Sequence, residues 1–528
     1  MKTLLVSLSA KNIHKSLAVW SIKAYCDEKL REIPGYSLDI AEHSINESTI
    51  DILAEIVEGK PDIVGFSCYI WNIELVRKLV RELEKCLPDL LIILGGPEII
   101  QNSTGNNLIE ITGVGEKAFC DILCKRFNVA GLPDCIENFA LLPSPYTEEF
   151  FQSFEKSAML SIANQLVYYE SSRGCPYSCA YCLSSMRNGV EFIPVERVKH
   201  DLEKFVFHGA KCIKFVDRTF NADKKRAKEI LEYILALDTD CTFHFEVGAD
   251  LFDGELLEIV RKMPACRVQF EIGIQSINKC TLEEVSRKSD LNKALQNIKL
   301  LTELGNTHIH VDLIAGLPHE TAKTFAQAID KCLELKPHML QVGFLKILKG
   351  SEMEKLAAQM GYIYTSFAPY EVLKSNSMDF KDLRKIKEIE VLIDKYYNSG
   401  KFANTVGFAI ELFGGYEFFS RFSEFKGSGF KASLKNAYTL LANFLLNHAP
   451  IDKVFYYIKL DCLTFDSKGI LPDMIPHDRD KIKEAALKKE YKNKGYTNIR
   501  VENFSDGARA FFYDVKNPIS NEYYVVKL

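Results

Sequence analysis

The stretch Tyr169-Glu-Ser-Ser-Arg-Gly-Cys175-Pro-Tyr-Ser-Cys179-Ala-Tyr-Cys182-Leu183 places three of the chain's 15 cysteines on one short loop. The loop follows the apolar run 166–171, a strand candidate. Three thiolates so spaced suit three irons of a 4Fe–4S cubane. No fourth cysteine lies nearby, so one iron keeps an open position for a small-molecule ligand. Zinc is the alternative use of clustered thiols, but it asks for four ligands from paired C-x-x-C units, and no second pair exists. The other twelve cysteines, among them Cys26, Cys68, Cys212 and Cys332, are scattered, mostly within apolar segments, and read as small buried hydrophobes. An odd cysteine count without a secretion signal disfavours a disulfide framework.

Outward from the loop, residues 166–350 alternate strand and helix. Strand candidates are 166–171, 212–216, 242–247, 268–274, 308–314 and 339–345, separated by helical stretches such as 195–207, 224–237 and 291–304. Six strands with helical crossovers predict a partial (β/α)6 barrel, whose chemistry gathers at the carboxyl ends of the strands. Residues 1–125 form an earlier α/β series, with strands at 4–8, 38–41, 63–69 and 90–94 and helices at 16–31, 50–57 and 72–86. A last unit at 111–116 leads into one more helix. That pattern predicts a doubly wound parallel sheet, with ligands bound outside the strand ends. Residues 126–165, interrupted by Pro133, Pro143 and Pro145, are a connector. Residues 351–528 read as an α+β domain. It is mainly helical to 450, then has strand-like runs at 454–460, 508–513 and 523–526 and a charged helix at 478–494.

A chain of 528 residues exceeds one hydrophobic core. The hydrophobic fraction of 47% and charged fraction of 26% are ordinary for soluble protein. A net charge of −5 argues against an extensive nucleic-acid surface. No apolar run reaches the ~20 residues that span a bilayer. The opening MKTLLVSLSAKNIHKS is broken by Ser7 and Ser9 and reads as a first β-strand. The expectation is a cytoplasmic protein with no membrane partner.

At the cysteine loop the sequence resembles the radical S-adenosylmethionine (SAM) superfamily, whose hallmark is C-x-x-x-C-x-aromatic-C, with Tyr181 as the aromatic. The resemblance implies that Cys175, Cys179 and Cys182 hold the cluster and that SAM binds its open iron. It also implies cleavage of SAM to a 5′-deoxyadenosyl radical that acts on a small-molecule substrate, with reduced flavodoxin or ferredoxin as electron donor. Further matching pieces are Glu246-Val-Gly-Ala-Asp250, Glu271-Ile-Gly273-Ile-Gln275 and Asp312-Leu-Ile-Ala-Gly316-Leu-Pro318. Carried over by motif, Gln275 and Arg287 contact the methionyl part of SAM. Glu246 and Tyr181 also lie on the cofactor, and Asp312 binds the ribose hydroxyls. Asp217, Arg218 and Asn221 on the second strand and Lys346 after the sixth are the candidate substrate contacts.

The N-terminal series resembles the cobalamin-binding domain that precedes many radical SAM domains. The matching pieces are Gly65-Phe-Ser67, Gly95-Gly96-Pro97 and Gly113-Val-Gly115-Glu116. The D-x-H-x-x-G motif of that family is only echoed, by Asn12-Ile-His14-Lys-Ser-Leu17. Asn12 lacks the carboxylate that tunes a metal-bound histidine, and Leu17 puts a branched side chain where the motif has glycine. The expectation is a domain without bound cobalamin, in which His14 caps the next helix or meets the neighbouring domain. The C-terminal region resembles an uncharacterised domain often fused to this pair. The layout of the whole chain resembles queuine lyases of queuosine salvage, which imply C–N cleavage releasing a 7-aminomethyl-7-deazaguanine base. The alternatives are a cobalamin-dependent radical SAM methyltransferase and a non-catalytic cobalamin or redox sensor.

Overall fold

The opening run forms strand β1, Lys2–Ser9, with Leu5, Val6 and Leu8 buried. The computed structural model describes residues 2–105, 107–127, 138–155, 161–186, 189–427 and 433–528. Parts of the expected connector, Pro133 among them, lie outside the described residues.

β1 pairs in parallel with β2 (Ser37–Ser44) and β3 (Ile63–Ser67), and β3 with β4 (Leu91–Gly95). The short β5 (Ser103–Thr104) and β6 (Leu108–Ile111), which the sequence pattern did not separate, complete a sheet of order β2-β1-β3-β4-β6-β5. β3 is buried along its whole length, as expected of a parallel strand covered on both faces. The covering helices are α1 (Leu17–Leu30), α2 (Thr49–Gly59), α3 (Ile73–Cys86) and α4 (Gly115–Phe127). In α3, Val76, Leu79, Val80 and Leu83 recur at helical spacing and join the core with Ile92 and Leu94. This is a doubly wound sheet whose β1, β3 and β4 all end on one edge.

The chain divides into two compact units. The first comprises Met1–Lys262, Glu283–Ser289 and Leu345–Asn376, and the second the remainder. Each of the six strands expected for a partial (β/α)6 barrel is present, three in each unit. In the first unit, β7 (Val167–Tyr169) is followed by an antiparallel hairpin, β8 (Ser172–Gly174) and β9 (Val190–Phe192). Next come β10 (Cys212–Phe215) and β11 (Thr242–Glu246), with β10 parallel to both β7 and β11. In the second unit, β12 (Val268–Gln275), β13 (His308–Ala315) and β14 (Met339–Phe344) run parallel. The first unit also holds the small pair β15 (Ile363–Tyr364) and β16 (Val372–Lys374).

The C-terminal part of the second unit is α+β, with helices from Phe380–Leu392 to Ile451–Phe465 and then an antiparallel sheet of β17 (Ile499–Phe504), β18 (Gly507–Lys516) and β19 (Tyr523–Lys527). The strand-like run 454–460 is instead helical. Val454, Ile458 and Cys462 repeat every four residues and are all buried. β17 escaped the sequence pattern because its buried face carries charge. Glu502 lies fully buried between Arg500 and Lys459. Among the described residues no helix is long and apolar enough to cross a membrane.

Candidate functional site

The cysteine loop sits in the first unit, between β8 and a short helical turn, Leu183–Met186. Gly174, the residue before Cys175, has φ +104°, and a Cβ there would lie 2.3 Å from the Gly189 carbonyl across the hairpin. Only glycine turns the chain into the loop at this point. Ala180 anchors the loop's middle. Its N–H donates to Val285 O (2.9 Å), and its carbonyl accepts from Met353 N (2.8 Å). Cys179 is buried, whereas Cys175 and Cys182 are partly exposed. Burial pushes the Cys175 thiol up from its ordinary value.

The segment that holds Ala180 also carries Arg287 to the loop. Its Nη1 donates to the Tyr181 hydroxyl at 3.2 Å and lies 3.8 Å from Cys179 Sγ. The three cysteines, Tyr181 and Arg287 are therefore brought together from two distant stretches of chain. Such a set fits an iron–sulfur cluster: clustered sulfurs, with a partly buried cation to offset their negative charge. Glu246 ends β11 with a carboxylate oxygen 3.9 Å from exposed Arg218.

Two expected substrate contacts are corrected. Asp217 is 1% exposed. It accepts from Ser171 N (2.8 Å), Ser171 Oγ (2.5 Å) and Ser172 N (2.9 Å). Its carboxylate holds the strand end that feeds the cysteine loop. Asn221 is 2% exposed and clasps Gly248, donating to its carbonyl and accepting from its N–H, each at 2.9 Å. Both side chains point into structure because backbone donors there would otherwise be buried unmatched. Arg218 and Lys346 are exposed.

A cavity of about 760 Å³ also lies in the first unit. One wall is backbone-rich, formed by Gly65, Gly95, Gly96 and Gly113 at the sheet's ligand edge. The opposite wall includes Gly174, Leu183 and Glu246, which flank or follow the cysteine loop and barrel strands. A Cβ on Gly113 would meet nothing within 4 Å, and one on Gly95 only a carbonyl at 3.8 Å. Bare backbone thus faces open space, a surface suited to a broad flat ligand such as a corrin. Gly96, at φ +118°, is needed for packing, since its Cβ would fall 2.5 Å from the Cys68 carbonyl.

Arg173 joins the two walls. Its guanidinium takes Glu170 in a fork (Nε–Oε1 3.0 Å, Nη2–Oε2 2.7 Å) and reaches Glu116 at 2.9 Å. It also lies 4.5 Å from the centre of the Phe139 ring. His14 lines the cavity with its Nδ1 3.0 Å from the Tyr168 hydroxyl. It meets the following domain, as expected. Burial, with Lys11 and Lys214, lowers its pKa from the ordinary value.

In the second unit, polar residues share one face of β12 and β13. Glu271 pairs in register with His310, and Gly273 with Asp312. His310 Nε2 lies 2.9 Å from Asp312 Oδ1. Gln275 ends β12 at φ +69°. Sequence reasoning quoted Glu116 and Glu271 within matching motifs without giving them roles, and it missed Arg173 and His310. The alternation His308, His310, Asp312 along one apolar strand was the available signal for His310.

Comparison with known proteins assigns these parts. Residues 169–332 match the radical SAM superfamily, residues 3–123 the B12 binding domain, and residues 358–517 a protein of unknown function, DUF4080. The chain thus carries a region of the radical SAM superfamily, preceded by a match to the B12 binding domain and followed by a domain of undefined role. Among curated relatives, 2-(S-pantetheinyl)-carbapenam-3-carboxylate methyltransferase of Streptantibioticus cattleyicolor is 25% identical over 60% of this chain and 51% of its own. The cobalamin-dependent radical SAM methyltransferase TokK of Streptomyces tokunonensis is 25% identical over 54% and 47%. The chain spans about half the length of these two relatives.

In fold it is similar to the radical SAM methyltransferase TsrM from Kitasatospora setae, with TM-score 0.53 and 17% identity over 69% of this chain and 78% of that one. It is also similar to the cobalamin-dependent SAM radical enzyme OxsB, with TM-score 0.54 and 15% identity over 94% and 75%. The match of residues 3–123 to the B12 binding domain runs against the expectation of a domain without cobalamin. The queuine lyase reading finds no support among them.

Proposed function

We propose that the protein is a cobalamin-dependent radical SAM methyltransferase acting on a small molecule. The observation that carries this reading is the cavity of about 760 Å³, whose walls are the glycine edge of the B12 binding domain and the surroundings of the cysteine loop. A methyl carrier in that cavity would lie beside the radical source. When bound, the cluster and SAM supply a 5′-deoxyadenosyl radical, and the corrin supplies a transferable methyl group.

In this reading Cys175, Cys179 and Cys182 ligate the cluster. Arg287 takes the SAM carboxylate, held by Tyr181, and Gln275 and Glu246 contact the same cofactor. Asp312 accepts the ribose hydroxyls, as a carboxylate with two acceptor oxygens can. Arg218 and Lys346 are the exposed polar side chains left to meet substrate, while Asp217 and Asn221 position backbone. His14 is committed to Tyr168, so the reading does not use it on cobalt. A reduced flavodoxin or ferredoxin supplies the electron.

The test is anaerobic purification from cobalamin-fed cells, metal analysis, and reaction with methyl-deuterated SAM and a reductant. Stoichiometric cobalt with label in a methylated product is the expected result. Absence of cobalt, together with release of the aminomethyl-deazaguanine base from queuine, would overturn it in favour of the lyase.

A further inference from the structure

We propose that His310, backed by Glu271, is a positioning residue that orients Asp312 toward the ribose of SAM. The inference rests on the reading above that Asp312 faces that ribose. On β13, residues 309, 311 and 313 are fully buried on one face, and His308, His310 and Asp312 alternate onto the other. Of the neighbours His310 and Asp312 on that face, the Asp312 side chain is 17% exposed and that of His310 only 7%. Asp312 is therefore the more reachable of the pair, and His310 sits beneath it, 2.9 Å from its Oδ1. Glu271 enters from β12 in direct register with His310. Ligand atoms of all three lie within 4.8 Å of one another.

An isolated carboxylate on a strand rotates about two torsions, and only some orientations present its oxygens to a vicinal diol. The close approach of the imidazole to one oxygen, 2.9 Å but not aligned as a hydrogen bond, limits the carboxylate to orientations that leave its other oxygen toward the strand end. Glu271 does for His310 what outer carboxylates do for ligand histidines elsewhere: it fixes the ring and its tautomer. The row is a carboxylate–imidazole–carboxylate relay of orientation, with the cofactor at its open end. Nothing in this arrangement requires the histidine to touch SAM.

The experiment measures equilibrium binding of SAM and of its 2′-deoxy analogue to the cluster-reconstituted full chain, in the parent protein and in H310A, H310Q and D312A. The parent is expected to prefer SAM by about 10- to 100-fold, the worth of a hydrogen bond to a charged group. H310A should lose most of that preference while its cluster absorbance stays unchanged. H310Q, which restores an N–H donor, should recover part of it, and it also covers the case in which H310A does not fold. With discrimination lost in D312A, full discrimination retained in H310A overturns the proposal alone, as does H310Q discriminating no better than D312A. Parent-like discrimination in D312A overturns the placement of Asp312 on the ribose, and the proposal with it.

Discussion

Replacing Arg173 with alanine should loosen the N-terminal domain and the cysteine loop at once. The guanidinium is the sole cation that the structure gives Glu116 and Glu170 as an ion-pair partner among the described residues. Their side chains are 7% and 21% exposed, so neither carboxylate can fully recover its hydration in place. Removing one partner of a buried ion pair costs about 3–5 kcal/mol. The partial exposure of Glu170 puts the expectation at the lower end, about 3 kcal/mol, with the lost stacking on Phe139 included. Both tryptophans, Trp20 and Trp71, lie in the N-terminal domain, so intrinsic fluorescence reports on this part of the chain alone. With a urea slope of about 2–3 kcal/mol/M, the midpoint should fall by roughly 1–1.5 M. Arg173→Lys keeps the charge but loses the fork, and should fall about half as far. Hydroxocobalamin affinity should drop in the same order. A midpoint within about 0.2 M of the parent in Arg173→Ala would refute the reasoning, because the two carboxylates would then be stable without their cation.

Alanine at any one of Cys175, Cys179 or Cys182 should abolish SAM cleavage and deplete iron, whereas Cys26→Ala or Cys332→Ala should leave iron content unchanged; iron assay and 5′-deoxyadenosine yield check this. Asp217→Asn can keep an oxygen on the Ser171 and Ser172 N–H groups, but it turns its amide N–H to the Ser171 hydroxyl, which must reverse its hydrogen bond, and the charge on the acceptor is lost. It should cost about 1–3 kcal/mol and lower the iron retained after reconstitution, with no change in corrin affinity. Burial pushes the Glu320 carboxyl up to about 7, partly opposed by the Ser276 hydroxyl that donates to it at 2.9 Å. A raised acid stabilises the fold when protonated. Its contribution is therefore complete below the ordinary carboxylate range and is lost as pH rises to about 7, amounting to about 3 kcal/mol. Urea midpoints from pH 5 to 8 should fall in the parent and stay flatter in Glu320→Gln.

The cysteine loop, the six barrel strands and the parallel sheet before them were legible in the sequence. They are local: each strand is an apolar run, and the three thiols occupy one loop. The N-terminal domain was legible as a fold, while its B12 binding match runs against the sequence reading of its cofactor. Asn12 and Leu17 weaken one linear motif, whereas the cavity is built by glycine backbone in and after three separate strands, β3, β4 and β6, and by residues flanking the cysteine loop.

Side-chain roles divided the same way. Residue type at a strand end singled out Asp217, Arg218 and Asn221 alike, and nothing in the sequence says which way each one turns. Tertiary structure decided that, because Asp217 and Asn221 are consumed by buried backbone groups that need partners. It also brought Arg287 to Cys179 and Tyr181, and Arg173 to Glu116, across more than fifty residues of chain. A linear pattern records what a residue can offer. Which buried charge it meets depends on contacts distant in sequence, and those are set only when the strands have packed.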